Sequence, residues 1–88
     1  MEYPRIDVKA TGRNIAKLRR ERGIRGRDIA DFMGFLEPQA VYRWQQGRTL
    51  PSLENLYALS LLLSVPMEEI LVRSSGRAKG LEGGGMAA

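Results

Sequence analysis

The sequence predicts an all-α protein, a compact bundle of five short helices. Three observations carry that expectation. Apolar residues recur at intervals of three and four, as at Ile15 and Leu18 or at Ile29, Ala30 and Met33, which is the period of a half-buried helix. Glycines at 23, 34 and 47 and prolines at 38 and 66 punctuate those runs. Strand-like alternation is confined to Ile6 and Val8.

Each element follows in order. Residues 3–10 combine that alternation with Pro4, which opposes a helix, so they read as an extended arm. Thr11 has a side chain able to cap a backbone N–H and Gly23 supplies a stop, which puts helix 1 at about 12–22. Helix 2 runs from about 26 to 33, ended by Gly34. Phe35, Leu36 and Glu37 form a turn, and Pro38 suits the first position of helix 3, where no N–H is lost. That helix runs to Gln46, before Gly47. Thr49 to Ser52 is the next connection, with Ser52 capping helix 4, whose inward stripe is Leu53, Leu56, Leu59, Ser60 and Leu63. Pro66 opens helix 5 over 67–72, where Glu68 and Glu69 favour the positive end of the helix dipole. From Arg73 onward little apolar surface offsets the entropy of ordering. The expected organisation is an arm at 1–11, one domain at 12–72 and a flexible tail at 73–88.

Composition narrows the function. Eighty-eight residues hold one domain with a small core. Cysteine and histidine are absent, which removes disulfides, thiolate and imidazole metal sites, and the catalytic arrangements built on those side chains. The carboxylates Asp28, Asp31, Glu54, Glu68 and Glu69 are scattered where capping and solubility account for them. No catalytic residue, metal or cofactor is expected. Fourteen basic against ten acidic residues give a net charge of +4, which suits an anionic partner. The apolar run at 59–63 is too short to cross a bilayer and residues 1–10 lack a signal core, so a cytoplasmic location and no membrane partner are expected.

At 100° per residue, helix 3 places Val41 and Trp44 on one side and Gln39, Tyr42, Arg43 and Gln46 on the other. The first pair is core. The second set offers amides, a phenol and a guanidinium, and glutamine can bond adenine, and arginine guanine, through two hydrogen bonds each. A merely solvated face has the same look, but the context argues for readout. Ala30, Gly34, Val41 and Trp44 have the spacing of a helix-turn-helix, which needs a small residue where two helices touch, a glycine at the turn and apolar anchors on the second helix. Helix 3 is therefore the candidate recognition helix, with Gln39, Ala40, Tyr42 and Arg43 reading bases in the major groove of double-stranded DNA.

The stretch from Ile15 to Leu71 resembles the Xre/Cro phage-repressor helix-turn-helix family. The resemblance is carried by Pro38-Gln39-Ala40-Val41-Tyr42-Arg43-Trp44, by Gly47-Arg48-Thr49-Leu50-Pro51-Ser52-Leu53, and by Val65-Pro66-Met67-Glu68-Glu69-Ile70-Leu71. It implies a lambda-repressor-like five-helix fold, operator DNA as ligand, and frequent two-fold dimers on palindromic sites. The chain departs from the commonest pattern in two places. One extra residue lies between Gly34 and Val41, similar to a subgroup with Pro-Gln-Ala at this point, and helix 2 begins with Arg25 and Gly26 where members often carry a capping residue and a glutamine.

Half of the basic residues, Arg13, Lys17, Arg19, Arg20, Arg22, Arg25 and Arg27, fall in one short run beside the acids Glu21 and Asp28. Arg13, Lys17, Arg25, Arg27, Gln46 and Arg48 are the candidate phosphate contacts, with Arg48 foremost. Leu61 and Leu62 lie off the inward stripe of helix 4 and form a candidate dimer face, so a homodimer is expected at least on DNA. The expected function is a transcriptional repressor acting by occupancy. The alternative is a protein-binding module on the same fold, such as an antitoxin with a toxin as partner.

Overall fold

A computed structural model describes residues 3–74. Five helices follow in order: α1 (Val8–Glu21), α2 (Gly26–Met33), α3 (Gln39–Gln45), α4 (Leu53–Leu63) and α5 (Met67–Ile70). The described residues contain no strand beyond one isolated antiparallel bridge, between Ile6 and Arg73. The all-α expectation therefore holds. Ile15, Ile29, Ala30, Val41, Leu59, Leu63 and Ile70, one or more from each helix, are fully buried and make a single core with Leu18, Trp44 and Leu56.

Helix 1 starts four residues earlier than its sequence suggests. Asp7, not Thr11, is the cap, its carboxylate accepting from the Ala10 N–H at 2.9 Å. Thr11 is instead fully buried, and its hydroxyl accepts from the Val72 N–H at 2.9 Å. The extended arm shrinks to the residues before Val8 and is tied down, since Asp7 N–H donates to the Val72 carbonyl and Ser74 N–H to the Arg5 carbonyl, each at 2.8 Å. Arg73 and Ser74 thus belong to this pairing; the remaining tail residues, Arg77 and Lys79 among them, lie outside the described residues.

Helix 2 lies where expected, and Gly34 closes it in the left-handed region at φ 77°. Ser52 caps α4 by accepting from Asn55 N–H. Two expectations for α4 fail. Leu53 does not face inward but stands 74% exposed, and Leu62 does not stand free but is half-buried against the core. Helix 5 is one turn, its end tied to α1 by Asn14, whose side-chain amide donates to the Glu69 and Ile70 carbonyls at 2.7 and 3.0 Å. The Arg22 guanidinium similarly bonds the Leu63 carbonyl at the end of α4.

Candidate nucleic-acid interface

Helix 3 is only seven residues long, too short to be stable alone, so its orientation is set by what holds its inner face. Val41 is fully buried and Trp44 nearly so. The turn between α2 and α3 adds to this packing. It folds Phe35 back so that its ring meets Trp44 edge-on, with centroids 6.1 Å apart, and leaves Leu36 90% exposed. Below, α1 crosses α3 so closely that a Cβ on Gly12 would fall 2.2 Å from the Trp44 carbonyl oxygen. Arg19 adds a directional brace. Its Nε donates to Gln45 Oε1 at 2.8 Å and its Nη1 to the Ile24 carbonyl at 3.2 Å, joining α1 to the end of α3 and the start of the chain's turn into α2.

The opposite face of α3 presents Gln39, Tyr42, Arg43 and Gln46, all exposed, as the helical wheel requires. Ala40 is different: it is half-buried and packs against the core. Tyr42 leans over the start of α2, where a Cβ on Gly26 would lie 3.0 Å from the ring and 3.6 Å from the Gln45 amide. The position at which the resembling family often carries glutamine is thus filled from α3 by Tyr42 and Gln45, and glycine leaves them the room.

The cations divide by their surroundings. Arg13, Arg43 and Arg48 are exposed and form no ion pair with a described residue. Lys17 sits 3.3 Å from Glu21, an exposed pair. Arg25 is held by Asp28 through Nε and Nη2 at 3.1 and 2.8 Å, while the same carboxylate accepts the Arg25 backbone N–H at 2.8 Å and so caps α2. These bonds lower the Asp28 pKa to about 2 and raise that of Arg25. Arg27 donates to Asp31 at 3.1 and 3.0 Å and to the Leu36 carbonyl at 3.2 Å. Arg25 and Arg27 therefore have carboxylates to leave, or share, before meeting any other anion, whereas Arg13, Arg43 and Arg48 have none.

One cation was missed in the sequence. Lys9 lies in the first turn of α1, packed so tightly on Gly47 that a Cβ there would fall 2.7 Å from the Lys9 Cα. It stands one helical turn from Arg13 and beside Gly47, the residue preceding Arg48, which gathers three exposed cations around the end of α3. Placing the helix start too late hid it. Gly12 did leave a signal, because glycine inside a helix costs about 1 kcal/mol relative to alanine and so marks a close approach.

An exposed polar face on a short helix, clamped beneath by an apolar pair and preceded by a second helix that ends in glycine, defines the helix-turn-helix class. The helix-turn-helix family model matches residues 15–70, and the chain belongs to that family, of the Xre/Cro type. No curated protein matches the chain in sequence. Solved structures share the fold. The restriction-modification controller protein C.AhdI from Aeromonas hydrophila is 23% identical with a TM-score of 0.66, over 73% of this chain and 96% of that one. The DNA-binding domain of BldD is 18% identical at 0.63, covering 75% and 94%. The clp gene regulator ClgR from C. glutamicum is 20% identical at 0.64, covering 75% and 84%. Among the described residues no group of acids could hold a metal ion, and no helix is long and apolar enough to cross a membrane.

Proposed function

We propose that this protein is a sequence-specific regulator of transcription that lays α3 in the major groove of double-stranded DNA. The observation that carries the reading is the exposed set Gln39, Tyr42 and Arg43 on a helix whose other face is locked into the core. Rigid placement matters because two hydrogen bonds to one base edge demand both position and direction. In this reading Gln39 and Arg43 read bases, and Tyr42 offers its ring to a thymine methyl or its hydroxyl to phosphate. Arg13, Arg48 and Gln46 fasten the backbone, with Lys17, Arg25 and Arg27 as secondary contacts drawn from their carboxylates. Ala40, half-buried, contributes only the edge of its methyl. The Pro-Gln-Ala start of α3 marks a subgroup with the longer turn. C.AhdI and ClgR are named as a controller and a regulator and BldD by its DNA-binding domain, which favours the same role here. The protein represses by occupancy in the cytoplasm, as a homodimer on DNA.

The test is selection of duplexes from a random pool, followed by binding of variants over a salt series. Gln39→Ala and Arg43→Ala should each lose about 1–3 kcal/mol of preference for the selected sequence over a scrambled one. Arg48→Ala should weaken binding to both and make the salt dependence shallower by roughly one ion. Uniform binding of all duplexes by the wild type would falsify base reading by α3. A second reading is favoured by Phe32 at the end of α2 and Leu36 in the turn after it, 52% and 90% exposed: a protein partner such as a toxin docks there. Co-purification of one stoichiometric partner, lost on Leu36→Ser, is its test.

A further inference from the structure

Gly26, buried at the first position of α2, is a glycine that its own backbone does not require. Among the described residues the left-handed glycines are 23, 34 and 47, and Gly26 is outside that group. What its missing side chain leaves is a seat. A Cβ on Gly26 would fall 3.0 Å from Tyr42 Cε1, 3.7 Å from Tyr42 Cδ1 and 3.6 Å from Gln45 Nε2. One edge of the Tyr42 ring therefore rests on the bare backbone of α2, while the residue is 45% exposed and its hydroxyl has no hydrogen-bond partner among the described residues. The wall beside the ring is fixed. Gln45 accepts from Arg19 Nε at 2.8 Å through Oε1 and donates to the Val41 carbonyl at 3.4 Å through Nε2, so α1, α2 and α3 each contribute to the seat. Gly12 meets backbone atoms and so serves the fold. Gly26 meets the far end of a side chain that is open to solvent, so a methyl group there would tilt the ring rather than displace a helix.

We infer that Gly26 is a specificity-determining position that touches no base: it fixes the aim of Tyr42, and Tyr42 so held reads one thymine by its 5-methyl group. The inference rests on the reading that α3 lies in the major groove. The chemistry of the two surfaces selects thymine. Gln39, Arg43 and Gln46, the other exposed side chains of that face, end in polar groups, and Ala40 is half-buried, so the Tyr42 ring is the main apolar surface that α3 presents. On the base edges of the major groove the apolar feature is the thymine methyl, every other marker being a hydrogen-bond donor or acceptor. The restraint gives Gly26 its part. Contact between a ring and a methyl group has no preferred direction and falls off within an ångström or so, so it discriminates only when the ring is already in place. A free tyrosine side chain loses rotamer freedom on binding, whereas a ring seated on Gly26 has lost it on folding. The seat thus makes a reader of one position out of an otherwise adaptable aromatic side chain.

The test removes that methyl group alone. Each thymine of the selected duplex is replaced in turn by uracil, and the wild type and its variants are titrated on every member of the set. The wild type should lose about four-fold in affinity at one thymine, the effect of burying one methyl group. Tyr42→Ala should bind the thymine and uracil duplexes alike at that position, and Tyr42→Phe should keep the discrimination, because the ring and not the hydroxyl makes the contact. Gly26→Ala should reduce the discrimination and Gly26→Leu should abolish it, each with the salt dependence of the wild type. Added to Tyr42→Ala, Gly26→Leu should change nothing further, since the side chain it displaces is gone. A wild-type thermal midpoint in the Gly26 variants separates this effect from a loss of fold; where Gly26→Leu proves unstable, Gly26→Ala alone decides. Discrimination in the folded Gly26 variants equal to that of the wild type overturns the seat. No uracil-sensitive thymine, or one still sensitive in Tyr42→Ala, overturns the contact. If no duplex is enriched from the random pool, the DNA reading itself falls and takes the inference with it, an outcome distinct from enrichment with Gly26 variants that behave as the wild type.

Discussion

Two glycines show how a single residue's lack of a side chain sets the position of α3. At Gly12 a methyl group would collide with the Trp44 carbonyl at 2.2 Å and with the Gln45 carbonyl at 2.8 Å, both backbone atoms that cannot swing aside. Gly12→Ala should therefore destabilise the fold by about 1–3 kcal/mol despite the better helix propensity of alanine, because overpacking outweighs a propensity gain of at most about 1 kcal/mol. In a domain of this size that lowers the thermal midpoint by roughly 4–8 °C per kcal/mol, readable by circular dichroism. A midpoint equal to or above the wild type would show that α1 and α3 do not cross there. Gly47 faces both a collision with Lys9 and a positive φ of 75°, so Gly47→Ala should separate the first turn of α1 from the end of α3. Lys9→Ala leaves that packing largely intact. Its expected effect is on DNA, a salt dependence shallower by roughly one ion with base preference unchanged. Titrating the selected and scrambled duplexes against salt checks both halves of that statement.

The helices themselves are held at their ends. Asp28 caps α2 while gripping Arg25, and its pKa falls from 3.8 to about 2. A carboxylate depressed on folding contributes stability that is present above the unfolded value and is lost as pH falls through the folded one. The contribution of this cap should therefore be complete above about pH 4 and fade between 3.8 and about 2. Asp28→Asn should lower stability at neutral pH and flatten the acid limb in that window, measured by urea unfolding at stepped pH. The Arg25 side chain should, in the same variant, be released for DNA. Thr11 plays a comparable part for the segment after α5. Its buried hydroxyl accepts the Val72 N–H, and Thr11→Val keeps the volume while leaving that N–H unpaired. The expected loss is about 1–3 kcal/mol, with faster amide exchange at Val72 as the local signature.

At the scale of the whole molecule, one small core carries five helices, so DNA-facing geometry and global stability are coupled. Leu59 lies at the centre of the core, far along the chain from α3. Leu59→Ala should cost about 2–5 kcal/mol, a large share of the stability of so small a domain. Saturating the protein with the selected duplex should restore part of the lost thermal midpoint, because binding to the folded state alone stabilises it by mass action. An unchanged midpoint on adding DNA would mean that folding and binding are not linked in this way. The pairing of residues 5–7 with 72–74 closes the two ends of the described chain on one another, so α1 cannot move away from α5 without breaking it.

The helix count, the span of α2, the Ser52 cap and the division of α3 into Val41 and Trp44 beneath and Gln39, Tyr42, Arg43 and Gln46 above were all legible in the sequence. They depend on period and on residues next to one another, and local chemistry decides them. The start of α1 was misplaced because Asp7 and Thr11 are both competent caps, and only the Val72 N–H, sixty-one residues away, engages Thr11 elsewhere. Leu53 and Leu62 exchanged their expected environments because a wheel gives angles within a helix but not the direction from which neighbours approach. The same reason separates Arg25 and Arg27, engaged by carboxylates, from Arg13 and Arg48. It also hid Lys9 and the brace from Arg19 to Gln45. Sequence alone determined which side of α3 is polar; where that side stands, and which cations stand beside it, was decided by contacts between residues that only the folded chain brings together.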